Sequence, residues 1–411
     1  MASIGDLIGA GGVFVDGDWV ESKDQDPSGD VRLIQLADVG DGVYRNKSSR
    51  FLTSAKAKEL RCTFLKPDDL LIARMPDPLG RACIFPGDDK PSVTVVDVCI
   101  VRTGTGGTNH RWLMHRINSG EIRSGIAALQ SGSTRKRISR SNLARIKFSV
   151  PPPDEQERTV AQIEKQFTRL DAGVASLKCV QAELKRYRAA ILKAGCEGRL
   201  VASDKAKWHD LTLPDFGSPT ANSIRRGPFG SAIKKEFFVP SGYKVYQQQN
   251  AISDDCSLGN YYIDSAKFRE LASFEVKPND LIISCSGTIG KIAIVPSWAE
   301  AGVINQALLK ITLDQGVVLN AFFVIMFRSR VRELLIAAAR GAAMQNIAGV
   351  AELKTMKWRI PPLDEQHRIV AEVERRLSLL EELKHVVSAN LQRAKRLHQS
   401  ILHCVFEGRI V

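Results

Sequence analysis

Two stretches of the chain carry the same spacing of apolar positions. Val160, Ile163, Phe167, Leu170, Val174, Leu177, Leu184 and Ile191 follow steps of three and four, with Gln181 and Arg188 at the remaining stripe positions. Val370, Val373, Leu377, Leu380, Val387, Leu391, Ala394 and Ile401 do the same, with Lys384 and His398 filling in. Sustained over several heptads, this narrow stripe predicts long helices that pair with one another rather than helices lying on a broad core. Each stretch opens on prolines: PPPDEQERTV at 151–160 and PPLDEQHRIV at 361–370. Asp154 is expected to cap the first helix, with Glu157 completing a capping box. In the second, His367 stands at that place, leaving a simple cap by Asp364.

The match extends without gaps from 151–201 onto 361–411, and EGRLV at one end answers EGRIV at the other. A fixed offset of 210 residues over such a length signals a duplication. It divides the chain into a globular domain at 1–150, a helix at 151–201, a second domain at 202–360 and a final helix at 361–411. A compact domain tends to return its ends close together, so the second helix is expected to start near the end of the first, making the pair antiparallel. Roughly 40 helical residues at 1.5 Å each give a strut of about 60 Å. The expected class is α+β: two mixed α/β domains separated by a pair of long antiparallel coiled-coil helices in a pseudo-two-fold repeat. Changing both helices by whole turns should then alter the distance between whatever the two domains bind.

The intervening regions are themselves similar in pattern. KPDDLLIARMPDPLGRACIFP (66–86) and KPNDLIISCSGTIGKIAIVP (277–296) each read as a turn, a short aliphatic strand, a Gly-containing turn and another strand. SGSTRKRISRSNLARIKFSVPPP (131–153) parallels RGAAMQNIAGVAELKTMKWRIPPL (340–363). Elsewhere the two diverge, as a shared scaffold with two different targets requires.

Composition adds one strong hint. The 411 residues carry a formal net charge of +13, which repels itself unless a polyanion or acidic partner absorbs it, and nucleic acid is the commonest such partner. The eight cysteines are scattered with no C-x-x-C pair, the pattern of buried thiols in a reducing compartment rather than of zinc or disulfides. The start lacks a basic stretch followed by an apolar one, and no apolar run reaches the ~18–20 residues that span a bilayer. A cytoplasmic protein is expected.

At this point the chain resembles the specificity subunits of type I restriction–modification systems. The doubled PPPDEQ and PPLDEQ helices carry the likeness, with KPDDLLI and KPNDLII, SGTIGK at 286–291 and the EGR tails. The resemblance implies two target-recognition domains, each reading half of a bipartite asymmetric DNA site. It also implies two adenine methyltransferase subunits and two ATP-driven restriction/translocase subunits as partners. S-adenosylmethionine, ATP and Mg would serve those partners, with no cofactor in this chain. A specificity subunit of a type IIB-like restriction system is the alternative, and a stand-alone nuclease a more distant one.

Affinity for a duplex comes largely from Lys and Arg on phosphates, and specificity from side chains at base edges. The best basic cluster is Arg135, Lys136, Arg137 and Arg140. The corresponding loop offers Arg340, Gln345 and Asn346, whose amides suit adenine N6 and N7. Further candidates are Arg225, Arg226, Lys234 and Lys235 around GPFGSA, and Arg74, Arg81, Ser286, Thr288 and Lys291 beside the Gly turns. The amide-rich QQQN at 247–250 suits either base edges or turn caps. For partner subunits, the duplicated Glu155, Gln156, Arg158, Glu365, Gln366 and Arg368 and the tail residues Arg199 and Arg409 are expected to form docking patches.

Catalytic motifs fail on spacing. SGTIGK has its glycines too close for a phosphate loop, and TGTGGT has Asn109 at the third glycine position of a dinucleotide fingerprint. Both Pro-Pro pairs lack the aromatic that amino-methylation needs. Asp68, with Asp88 and Lys90, meets a loose nuclease pattern that could hold magnesium, but the second region has Asn279 in place of Asp68. His110 and His115 miss the spacing of a zinc helix. A non-catalytic reader is the expectation.

Overall fold

The computed structural model describes residues 1–105, 107–132, 136–339 and 350–409. The chain forms two compact units, Met1–Lys178 with Ser388–Val411, and Cys179–Val387, so that each unit takes part of both long helices.

In the first unit a four-stranded antiparallel sheet runs in the order Val13–Asp16, Val98–Arg102, Leu70–Ala73, Ala82–Ile84. A second sheet pairs Val31–Ile34 antiparallel with Phe51–Leu52 and parallel with Ser92–Thr94. The aliphatic strand LLIA is buried on both faces, and its period of two sorts the side chains. Leu70 and Ile72 enter one apolar cluster with Trp112 and Phe148, whereas Leu71 and Ala73 enter another with Ile34 and Phe85.

The second unit repeats this plan with one strand more, Glu275–Val276, at the edge of its mixed sheet. Ile224–Arg226, Leu308–Ile311, Leu281–Ser284 and Ile292–Ile294 make the antiparallel sheet. Tyr262–Ile263, Tyr243–Tyr246, Gly302–Ile304 and Glu275–Val276 make the mixed one. The likeness of the two globular regions is therefore far closer than their sequences suggest. Differences sit in the covering helices: His110–Asn118 and Gly120–Ala128 in one unit, and one long Asn320–Ala339 in the other. In the latter Phe322, Phe323 and Phe327 are fully buried, and Trp358 lies 5.2 Å from the Phe323 ring.

The long helices span Pro153–Cys196 and Leu363–Phe406. Along the first, the stripe Val160 to Ile191, with Gln181 and Arg188, is shielded while the residues around it are mostly exposed. The pair is antiparallel. In the first unit the rings of Phe167 and His398 are 4.6 Å apart. In the second, Arg188 Nη1 approaches Glu381 Oε1 at 3.4 Å, and Gly195, seven residues on, faces Ile369 and Val373. Ile369 rather than Val370 is the fully buried member of its turn.

The caps differ from expectation. Each helix begins one residue before its Asp, which sits in the first turn and pairs with the Arg four residues on: Asp154 with Arg158 at 2.9 Å, and Asp364 with Arg368 at 3.5 Å. Such carboxylates still favour the positive end of the helix dipole. The Gln two residues beyond each Asp instead ties the helix start to the globular domain, while the first-turn amides of 155, 156, 365 and 366 reach Pro152 O and Pro362 O. Gln156 Oε1 accepts from Asn109 N–H at 3.0 Å, and its Nε2 donates to Pro151 O at 2.8 Å. Gln366 repeats this with Leu319 N–H and Pro361 O, both at 2.9 Å. At the other ends the EGR tails are helix stops. Gly198 and Gly408 take left-handed φ of 62° and 69°, and the next amide reaches back five residues to Ala194 O or Cys404 O.

Candidate nucleic-acid interface

Within the second unit, four loops converge at one end of the sheets. Tyr246 O accepts from Asn305 N–H at 3.0 Å, Ala307 O from Cys285 N–H at 2.8 Å, and Leu308 O from Gly227 N–H at 2.9 Å. These bonds draw together 227–230, 246–248, 285–290 and 305–307. Gly227 is pressed so closely to Asn305 that a Cβ there would collide with the carbonyl oxygen. Gln248 leans over Gly287, and its Oε1 is buried without a partner. Gln247 and Asn250 are taken up as reciprocal helix caps, so of QQQN only Gln248 and Gln249 remain to face a ligand.

The basic residues around this end are presented differently. Arg225 is exposed and stacks over the Phe274 ring at 4.8 Å, while Arg226 donates to Gln306 O at 3.3 Å. Lys234 and Lys235 are exposed on the loop after GPFGSA, and Thr288 is exposed at the turn tip beside half-buried Ser286. Lys291 lines instead a cleft with Arg188, Asp254 and Arg328.

In the first unit Asp16 organises the corresponding end. It meets Arg74 Nε at 3.3 Å and Arg140 Nε at 3.5 Å, and Arg140 Nη1 donates to Phe14 O at 2.8 Å. Arg74 also donates to Val96 O at 2.6 Å, and its carbonyl accepts from Ile138 N–H at 3.0 Å. The structure thus brings Arg74 and Arg140 beside the strip that carries exposed Lys136 and Arg137. Arg135, Arg340, Gln345 and Asn346 lie outside the described residues.

Four sequence-based assignments are corrected. Arg81 is 4% exposed and its guanidinium serves the protein: it donates to Val39 O, Leu36 O, Met75 O and Pro78 O at 2.6–3.1 Å. Gln156, Glu365 and Gln366 are likewise interior; Glu365 accepts from Trp208 Nε1–H at 3.1 Å. None of the four offers a surface to DNA or to a partner. Glu155, Arg158, Arg199, Arg368 and Arg409 are exposed, and the four arginines each pair with a neighbouring acid on their own helix or tail. Asp88, from the nuclease-like pattern, is held by Arg32 at 2.8 Å.

Sequence reasoning missed the aromatic that follows each Gly of the strand-end loops, Trp19 in GDW and Phe229 in GPF. The 210-residue offset, carried back past the helices, would have paired them. It also missed Gln306, whose signal is non-local.

Two sheet units of closely similar plan, each ending in loops of different composition, define a duplicated α+β protein. The model of the type I restriction modification DNA specificity domain matches residues 229–387. The chain is 24% identical over 367 residues to the EcoBI specificity subunit of Escherichia coli, covering 84% of this chain and 74% of that one. It is 21% identical to the EcoKI specificity subunit of E. coli K12, over 73% and 65%. Among solved structures, a chain from a study of complex assembly in the type I R-M system superposes with a TM-score of 0.69 at 16% identity, covering 97% and 98%. The HsdS subunit from Thermoanaerobacter tengcongensis gives 0.57 at 17%, covering 98% of each. Over most of its length the chain is similar to the DNA specificity subunits of type I restriction–modification systems, and residues 229–387 match their specificity domain. Among the described residues no helix is long and apolar enough to cross a membrane.

Proposed function

We propose that each unit reads one half of a bipartite, asymmetric DNA site and that this chain itself carries no catalysis. Adenine methylation and ATP-driven restriction then belong to two methyltransferase and two restriction/translocase subunits, which use S-adenosylmethionine, ATP and Mg. The observation that carries this reading is a constant frame with variable tips. Frame positions recur with the same roles: Asp69 and Asp280 accept the amide of the Lys three before, and Gln156 and Gln366 clamp the helix starts. The tips differ: GDWVE stands against GPFGS, and RMPDPLG against CSGTIG. Two unlike tips suit two unlike half-sites. The decisive experiment maps N6-methyladenine in DNA from cells that express this chain with its methyltransferase partner. A split motif is expected; methylation without one would overturn the reading.

The basic strip of the first unit should supply backbone affinity. Replacing Arg135, Lys136 and Arg137 by Ala is expected to weaken binding to any duplex. The slope of log K against log salt should fall by about 0.9 for each phosphate left without its cation. An unchanged slope in a salt titration would remove the strip from the interface.

A further inference from the structure

The two aromatics at the strand ends are placed by one device used twice. Gly17 and Gly227 donate to Val98 O and Leu308 O at 2.8 and 2.9 Å, and each is packed against the carbonyl of Val95 or Asn305 so tightly that no Cβ fits. Every partner in this set is related by the same offset of 210 residues. Two positions beyond each glycine stand Trp19, 70% exposed, and Phe229, 90% exposed. A single exposed aromatic is ordinary on a protein surface. A large aromatic ring held out from the same pinned turn in both units, indole in one and phenyl in the other, is more than chance exposure, because each ring forgoes the burial that would stabilise it.

The chemistry of the surroundings selects the occupant. Phe229 has no hydrogen-bonding atom on its side chain, so it can engage a ligand only through the ring. Within six residues of it along the chain lie Arg225, Arg226, Lys234 and Lys235, a basic segment that favours a polyanion over an apolar protein surface. Trp19 keeps its Nε1–H on Glu21 at 3.2 Å, so its indole faces also remain free, and Arg74 and Arg140 approach the same strand end at Asp16. A polyanion with flat apolar faces is a nucleic acid with its bases.

We propose that Trp19 and Phe229 are base-stacking residues, each placing its ring against a base step of the half-site its unit reads. This rests on the DNA-reading function above and adds to it a contact that is neither a phosphate pairing nor an edge hydrogen bond. A ring inserted at a step opens it locally, so sequence would be read there through ease of unstacking.

The test uses the chain assembled with its methyltransferase subunits and a duplex carrying the mapped site, with 2-aminopurine substituted at successive positions. Phe229→Ala is expected to weaken specific binding about tenfold, the size of one base stack, with the salt slope unchanged because no charge is removed. The wild-type complex should raise 2-aminopurine emission at one step of one half-site. Phe229→Ala should abolish that signal, Trp19→Ala should abolish only its counterpart in the other half-site, and Phe229→Trp should restore binding. Unchanged affinity and emission would overturn the proposal, as would failure of the variants to assemble with the methyltransferase, which would make these rings protein-docking residues. Failure of the wild-type complex to prefer its site would overturn the DNA-reading function instead.

Discussion

Arg81→Met is expected to destabilise the first unit by about 3–5 kcal/mol while leaving the salt dependence of DNA binding untouched. The guanidinium is buried with no carboxylate at its nitrogens, and four backbone carbonyls hold its protons. Those carbonyls belong to two segments, 36–39 and 75–78, that no regular ladder connects. Burial lowers the pKa of the group, and Arg45 and Arg123 push the same way. The folded state tolerates the charge only because the carbonyl dipoles converge on it. Methionine fills the volume but donates nothing, so buried acceptors lose their partners together, each at a cost of about 1–3 kcal/mol before water relieves some of them. A melting experiment should show the first unit's transition fall by about 10 °C. In a salt titration the variant's slope should equal the wild type's. A stable variant whose slope drops by about 0.9 would instead make Arg81 a phosphate contact.

Acidification from neutral pH to about pH 4 is expected to remove about 3 kcal/mol from the first unit through His115 alone. The ring is 4% exposed, its Nε2 is buried without a partner, and it lies edge-on to Phe167 at 5.7 Å. Burial depresses its pKa to about 4 from an ordinary 6.5, with Glu164 opposing and Arg111 assisting. The folded protein thus holds the neutral imidazole, while the unfolded chain takes up a proton below pH 6.5. Stability from this group is complete above that pH and is lost as pH falls toward 4, at 1.36 kcal/mol per unit of difference. His115→Leu should flatten that part of the profile. Urea midpoints measured between pH 7 and 4 for both proteins isolate the effect, since the carboxylates are common to both. Parallel profiles would show that His115 titrates normally.

The helix stripe was legible because its information is local: a three-and-four spacing states its own geometry wherever the helix lies. The strands at 70–73 and 281–284 were legible for the same reason, and so was the duplication that relates them. The status of individual charged residues was not. Arg81 and Lys291 follow equivalent left-handed glycines at a 210-residue offset, yet the first is an interior clamp and the second an exposed residue beside a cleft. The difference lies in carbonyls some 40 residues distant, which the motif does not contain. Gln156 and Gln366 read as a repeated surface patch because they repeat; they repeat because each closes the same joint with a residue 47 positions earlier.

By itself, then, the chain determined its periodic elements, its two-fold repetition and its basic character, since spacing and composition act over a few residues or over none. Tertiary structure decided which polar groups face outward, because burial depends on partners brought together from distant positions. The pinned turns beneath Trp19 and Phe229 belong to that second kind of information. A glycine shows what it permits only when the carbonyl it approaches is in place.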